Sequence, residues 1–75
     1  IDGKLKEVQL INQWDNVVGK AIARRTTRIY INKQVLFVHL NSSIVKNELM
    51  LIRQGLVKTL NDRVGEKIIN DIVLR

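Results

Sequence analysis

The sequence predicts a single α+β domain spanning residues 1–75, with helices packed against one face of a three-stranded sheet. Three observations predict it. An apolar stripe at helical spacing opens the chain. Two runs that alternate at period two occupy its middle. A longer helical stripe then precedes a final run rich in Ile and Val. The chain has 75 residues, is 45% apolar and contains no Cys and no Pro, so it reads as one globular unit held by its core alone. A core of that size supplies about 3–5 kcal/mol of net stability.

Residues 4–18 read as the first helix. Leu10, Trp14, Val17, Val18 and Ala21 recur on one helical face. Gly19 marks a kink, a helix end or a close packing contact. Residues 28–32 and 35–41 read as two strands, because Tyr30, Ile31, Val35, Phe37 and Val38 are β-branched or aromatic and both runs alternate. A two-residue loop at Lys33-Gln34 sets Arg28 opposite His39, Ile29 opposite Val38, Tyr30 opposite Phe37 and Ile31 opposite Leu36. That register gathers Ile29, Ile31, Leu36, Val38 and Leu40 on one face. It leaves Arg28, Tyr30, Phe37 and His39 on the other. A slip of one residue mixes the two sets, which argues for this parity.

Residues 43–63 read as helix behind a Ser42 N-cap. Val45, Leu49, Ile52, Leu56 and Leu60 form its buried stripe. Gly55 costs a continuous helix about 1 kcal/mol against Ala, so the segment is one helix or two with a bend there. Gly65 is the expected stop. Residues 68–74 read as the third strand, with Ile72 and Leu74 on its buried face.

The net charge is +6, and its distribution points to a partner. Between Asp15 and Glu48 there is no acidic residue, while Lys20, Arg24, Arg25, Arg28, Lys33 and Lys46 all lie in that window. A block of one sign makes a positive potential that a polyanion feels. Arg24 and Arg25, followed by Thr26 and Thr27, suit phosphate oxygens, because guanidinium donates forked charge-assisted bonds and threonine adds a neutral donor. The plainer alternative is a solvated connector. Tyr30 and Phe37 on an open sheet face either stack on unpaired bases, or pack on each other or under a terminal segment outside these residues. Trp14 suits the helix core by its place on the stripe. A partly buried tryptophan also anchors protein interfaces, so Trp14 is the candidate contact with a protein partner.

Catalysis is not expected. His39 is the only histidine, and no paired carboxylates, Gly-rich phosphate loop or metal-ligand cluster is apparent. No cofactor, metal or small-molecule substrate is implied. No apolar stretch reaches the length of a membrane span and no signal-peptide pattern opens the chain, so a cytoplasmic location without membrane contact is expected. The chain opens at Ile1 rather than Met, which leaves room for residues before it. The candidate nucleic-acid-binding residues are therefore Lys20, Arg24, Arg25, Thr26, Arg28, Tyr30, Lys33, Phe37 and His39. Single-stranded DNA or RNA is the favoured ligand.

Trp14, Val18-Gly19, Ile22-Ala23 and Thr26 are followed by Val35-Leu36-Phe37-Val38, Asn41-Ser42-Ser43, Glu48-Leu49, Leu60-Asn61, Gly65 and Ile72. In this order and spacing, over roughly residues 8–75, the chain resembles the bacterial DciA family. The resemblance implies a KH-like domain of type II order, association with the replicative helicase, help in placing that helicase on DNA, DNA binding, and no ATPase activity. Arg25 and Arg28 stand where the family often has a histidine and a proline, and Lys33-Gln34 replaces a common turn glycine. Many members carry a long extra segment that contributes to DNA binding; the 75 residues here hold none, so helicase loading is not carried over. A standard KH domain clamps a single strand with a Gly-x-x-Gly loop. The matching place here, Gln54-Gly55-Leu56-Val57, has one glycine and no basic residue. The competing reading is a protein-interaction adaptor that docks on the replicative helicase without touching nucleic acid.

Overall fold

The computed structural model describes residues 2–75, with side chains from Lys4 onward. The elements in chain order are α1 (Asp2–Asn12), α2 (Trp14–Val18), α3 (Lys20–Arg24), β1 (Thr26–Asn32), β2 (Val35–Leu40), α4 (Ser43–Leu51), α5 (Arg53–Val64) and β3 (Asp71–Leu74). The expected first helix is present as α1 and α2. They are separated only by Gln13, whose backbone stays helical and whose amide donates to the Leu10 carbonyl at 3.0 Å. Gly19 ends this run. Its φ of 90° and ψ of 164° lie in a region open essentially to glycine, and they turn the chain into α3. The turn carries Ala21 out of the expected stripe into solvent, while Leu10 and Trp14 are buried and Val17 and Val18 pack beside them.

β1 and β2 pair antiparallel in the expected register, with Arg28 opposite His39, Ile29 opposite Val38, Tyr30 opposite Phe37 and Ile31 opposite Leu36. The loop is Lys33-Gln34, and both residues have positive φ, 51° and 64°. This is the type I′ geometry that matches the strand twist, here reached without the usual Asn-Gly. A bulge at Thr27 re-aims the start of β1. β3 then pairs parallel with β2, giving an open mixed sheet in the order β1-β2-β3.

The Ser42 hydroxyl accepts from the Val45 amide at 3.3 Å and starts α4 as expected. The break between the two long helices falls at Ile52, where φ is −114° and ψ is 17°, and not at Gly55, which sits within α5. The break shifts the helical phase. Ile52 therefore leaves the predicted core and is 54% exposed, whereas Leu56, Val57 and Leu60 supply the buried face of α5. Gly65 closes α5 in the left-handed conformation, φ 83° and ψ 17°.

The expected strand 68–74 shortens to Asp71–Leu74. Ile68 and Ile69 are buried, but their amides both donate to Asn61 Oδ1, at 2.9 and 3.1 Å, and the Ile69 carbonyl accepts from Asn61 Nδ2 at 2.8 Å. One side chain thus holds this segment away from the sheet ladder. The core lies between the helices and one sheet face. It combines Leu10, Trp14, Leu36, Val38, Leu49, Leu56, Leu60, Ile69 and Ile72, with Ile29 and Ile31 half-buried at its edge.

Candidate nucleic-acid interface

The break at Gly19 points α3 away from the first helical run, so Lys20, Arg24 and the following Arg25 are all exposed. The connector is nonetheless pinned. The Arg25 amide donates to the Ile22 carbonyl at 3.0 Å, and its carbonyl accepts from the Asn41 amide at 2.9 Å. Arg28 follows on β1 and is exposed too. Among the described residues the ion pairs are Arg53–Asp71 at 3.5 Å and Lys58–Asp62 at 2.8 Å, so no carboxylate neutralises Lys20, Arg24, Arg25 or Arg28. Lys58 differs from these. Its hydrogen bond to Asp62, and then the Asp62 charge, hold its pKa above the ordinary lysine value.

The open sheet face gathers the predicted set. Tyr30 and Phe37 sit opposite each other, and their rings stack with centroids 5.0 Å apart and planes 9° apart. His39 lies 6.0 Å from Tyr30 at 29°. The Arg28 guanidinium lies over Tyr30 at 4.8 Å, and that of Arg75 lies over Phe37 at 5.5 Å. Arg75 is a site residue that the sequence reading missed. Its amide donates to the Val38 carbonyl and its carbonyl accepts from the Leu40 amide, both at 2.9 Å, which extends β3 and places Arg75 beside His39. The parity that turns Ile72 and Leu74 inward turns Arg75 outward, and that was the available signal. His39 Nε2 is buried with no hydrogen-bond partner.

Other candidates fall elsewhere. Lys33 stands at the hairpin tip, exposed but at the far end of β1 from Arg25, roughly 25 Å away at about 3.3 Å per residue. Thr26 is corrected to a structural role. Its hydroxyl accepts from Trp14 Nε1 at 3.0 Å and donates its one proton to the Ile22 carbonyl at 3.2 Å, leaving none for a phosphate. Trp14 takes the core place that its position on the stripe predicts, and only its alternative role as a partner contact is corrected. It is 2% exposed in the core, so a partner cannot touch it as the chain is folded. Tyr30 and Phe37 pack on each other and do not offer two open platforms. The Gln54–Val57 stretch lies within α5 with Leu56 and Val57 buried, so it forms no KH-type loop. The elbow before it exposes Met50, Leu51 and Ile52, Leu51 most of all at 87%.

A family model described as "Dna[CI] antecedent, DciA" matches residues 1–74. No curated protein matches the chain.

Proposed function

Because the chain belongs to the DciA family, which is linked to the replicative helicase, we propose that it is a non-catalytic nucleic-acid-binding module of bacterial replication. It works in the cytoplasm, and its binding surface runs from α3 along the start of β1 onto the open sheet face. One observation carries this reading: Lys20, Arg24, Arg25 and Arg28 are exposed, close in sequence, and unpaired with any carboxylate among the described residues. Such cations gain from phosphate contact through counterion release, and the gain carries little sequence information. The ligand is DNA or RNA, recognised mainly through its backbone.

Titration of a labelled oligonucleotide at two salt concentrations tests this. Affinity should fall steeply as salt rises, by about 0.7 log units per log unit of salt for each phosphate contact on a single strand. The absence of binding at low salt would refute it.

The adaptor reading draws on a different observation, the apolar elbow of Met50, Leu51 and Ile52 between α4 and α5. Exposed apolar side chains clustered in this way suit a protein partner. A helicase bound there would be held with little dependence on salt, which separates the two readings in the same titration format.

A further inference from the structure

We infer that the open sheet face grips the sugar–phosphate backbone through Arg28 and Arg75, and that its aromatic pair supports these arginines rather than stacking on unpaired bases. This rests on the nucleic-acid reading and assigns the chemistry of its sheet-face part.

The ring geometry comes first. With centroids 5.0 Å apart and planes 9° apart, Tyr30 and Phe37 are already offset-stacked on each other. Each ring also carries a guanidinium, Arg28 on Tyr30 and Arg75 on Phe37. A base that stacked here would have to displace a ring or an arginine. The arginines are placed differently. Their Cζ atoms lie over the rings at 4.8 and 5.5 Å, and among the described residues no carboxylate takes up their N–H groups. Those are the groups that make forked bonds to phosphate oxygens. Holding the side chain on a ring also removes rotamer freedom before the ligand arrives, so less is lost on binding.

The electrostatics point the same way. By register, Arg28, His39 and Arg75 form one row across β1, β2 and β3. The two arginine backbones are therefore two strand spacings apart, roughly 10 Å. The face thus holds two like charges near each other. By the same register, the acid on this face among the described residues is Asp71, but it is engaged by Arg53 at 3.5 Å and accepts from the Ile72 amide at 2.8 Å. Among the described residues no carboxylate pairs with Arg28 or Arg75. A chain of phosphates supplies the missing counter-charge to both. Binding through this face should then be indifferent to whether bases are unpaired, or present at all.

The test compares three ligands of equal length at low salt: a single-stranded oligonucleotide, the same sugar–phosphate chain without bases, and a duplex. For the parent chain, the abasic strand should bind within about threefold of the intact strand, and the duplex at least as well as the strand. Arg28→Ala with Arg75→Ala should weaken all three by about fivefold or more. It should also lower the single-strand salt slope by roughly 1.4 units, at about 0.7 per contact. The Arg28→Lys with Arg75→Lys pair keeps the charge and loses the fork. It should recover the slope and only part of the affinity, a readout that a merely misfolded variant cannot give. An abasic strand bound tenfold or more weaker would overturn the inference in favour of base stacking. So would an alanine pair that binds like the parent while Arg24→Ala with Arg25→Ala loses binding, and that result would leave the nucleic-acid reading standing. Failure of all three ligands to bind the parent would refute that reading and this inference together.

Discussion

Replacing Thr26 with Val should cost stability and leave the phosphate-dependent part of binding alone. The change keeps the β-branched shape that β1 favours and removes only the hydroxyl. In the native chain that hydroxyl accepts from Trp14 Nε1 at 3.0 Å and donates to the Ile22 carbonyl at 3.2 Å, linking α2, α3 and β1. Trp14 is 2% exposed, so its indole N–H is largely shielded from solvent. Losing the acceptor strands a buried donor, which costs about 1–3 kcal/mol. For a domain of this size each kcal/mol moves the melting temperature by about 4–8 °C, so Thr26→Val should melt roughly 4–24 °C below the parent. A double-mutant cycle with Trp14→Phe isolates the bond. Removing the donor first should leave less for Thr26→Val to lose, with a coupling of about 1 kcal/mol. Circular-dichroism melts of the four proteins, with an oligonucleotide salt titration of Thr26→Val, supply the data. A melting temperature within two degrees of the parent, or a coupling near zero, would refute the structural role given to Thr26. A reduced salt slope in the folded variant would return Thr26 to the phosphate contacts.

Three further outcomes follow from the fold. Asn61→Ala removes one acceptor shared by the Ile68 and Ile69 amides and one donor to the Ile69 carbonyl, so chemical denaturation should show a loss of about 2–4 kcal/mol. Lys33→Asn with Gln34→Gly suits the positive φ at both turn positions and should raise stability by about 1–2 kcal/mol, read as a higher denaturation midpoint at unchanged m-value. Gly55→Ala, within α5 and with no atom beyond its chain neighbours and its own helix backbone within 4 Å of the added methyl, should raise the melting temperature by a few degrees, equivalent to about 0.5–1 kcal/mol.

The sheet was the most legible part of the sequence. Alternation at period two has a single parity that keeps Ile29, Ile31, Leu36 and Val38 together, and a two-residue loop then fixes every pairing in the hairpin. The helix break was less legible. Gly55 marks the weakest local propensity, but tertiary packing places the turn at Ile52, where no glycine or proline announces it. The short β3 was hidden for a related reason. Ile68 and Ile69 have strand propensity, and only the fold reveals that Asn61 takes their amides.

The candidate site divides in the same way. Charge clustering exposed Lys20, Arg24, Arg25 and Arg28 directly, because that signal is local in sequence. Arg75 reaches the site through the parallel pairing of β3 with β2, a long-range contact that composition does not carry. Thr26 looked like a phosphate donor because hydroxyls beside arginines often are; its commitment to Trp14 and Ile22 is visible only in three dimensions. Lys33 belongs to the charge block in sequence, yet seven strand residues separate it from Arg25 in space.

The central claim, that the exposed α3–β1 cations bind a phosphate backbone, is tested most directly by titrating the parent chain and Arg24→Ala with Arg25→Ala against one single-stranded oligonucleotide across a salt series. Both residues are exposed connector charges, so the double variant should fold and melt like the parent. The account predicts an affinity lower by several-fold and a salt slope smaller by roughly 1.4 units, about 0.7 for each lost contact. An unchanged affinity and slope in the double variant would contradict it.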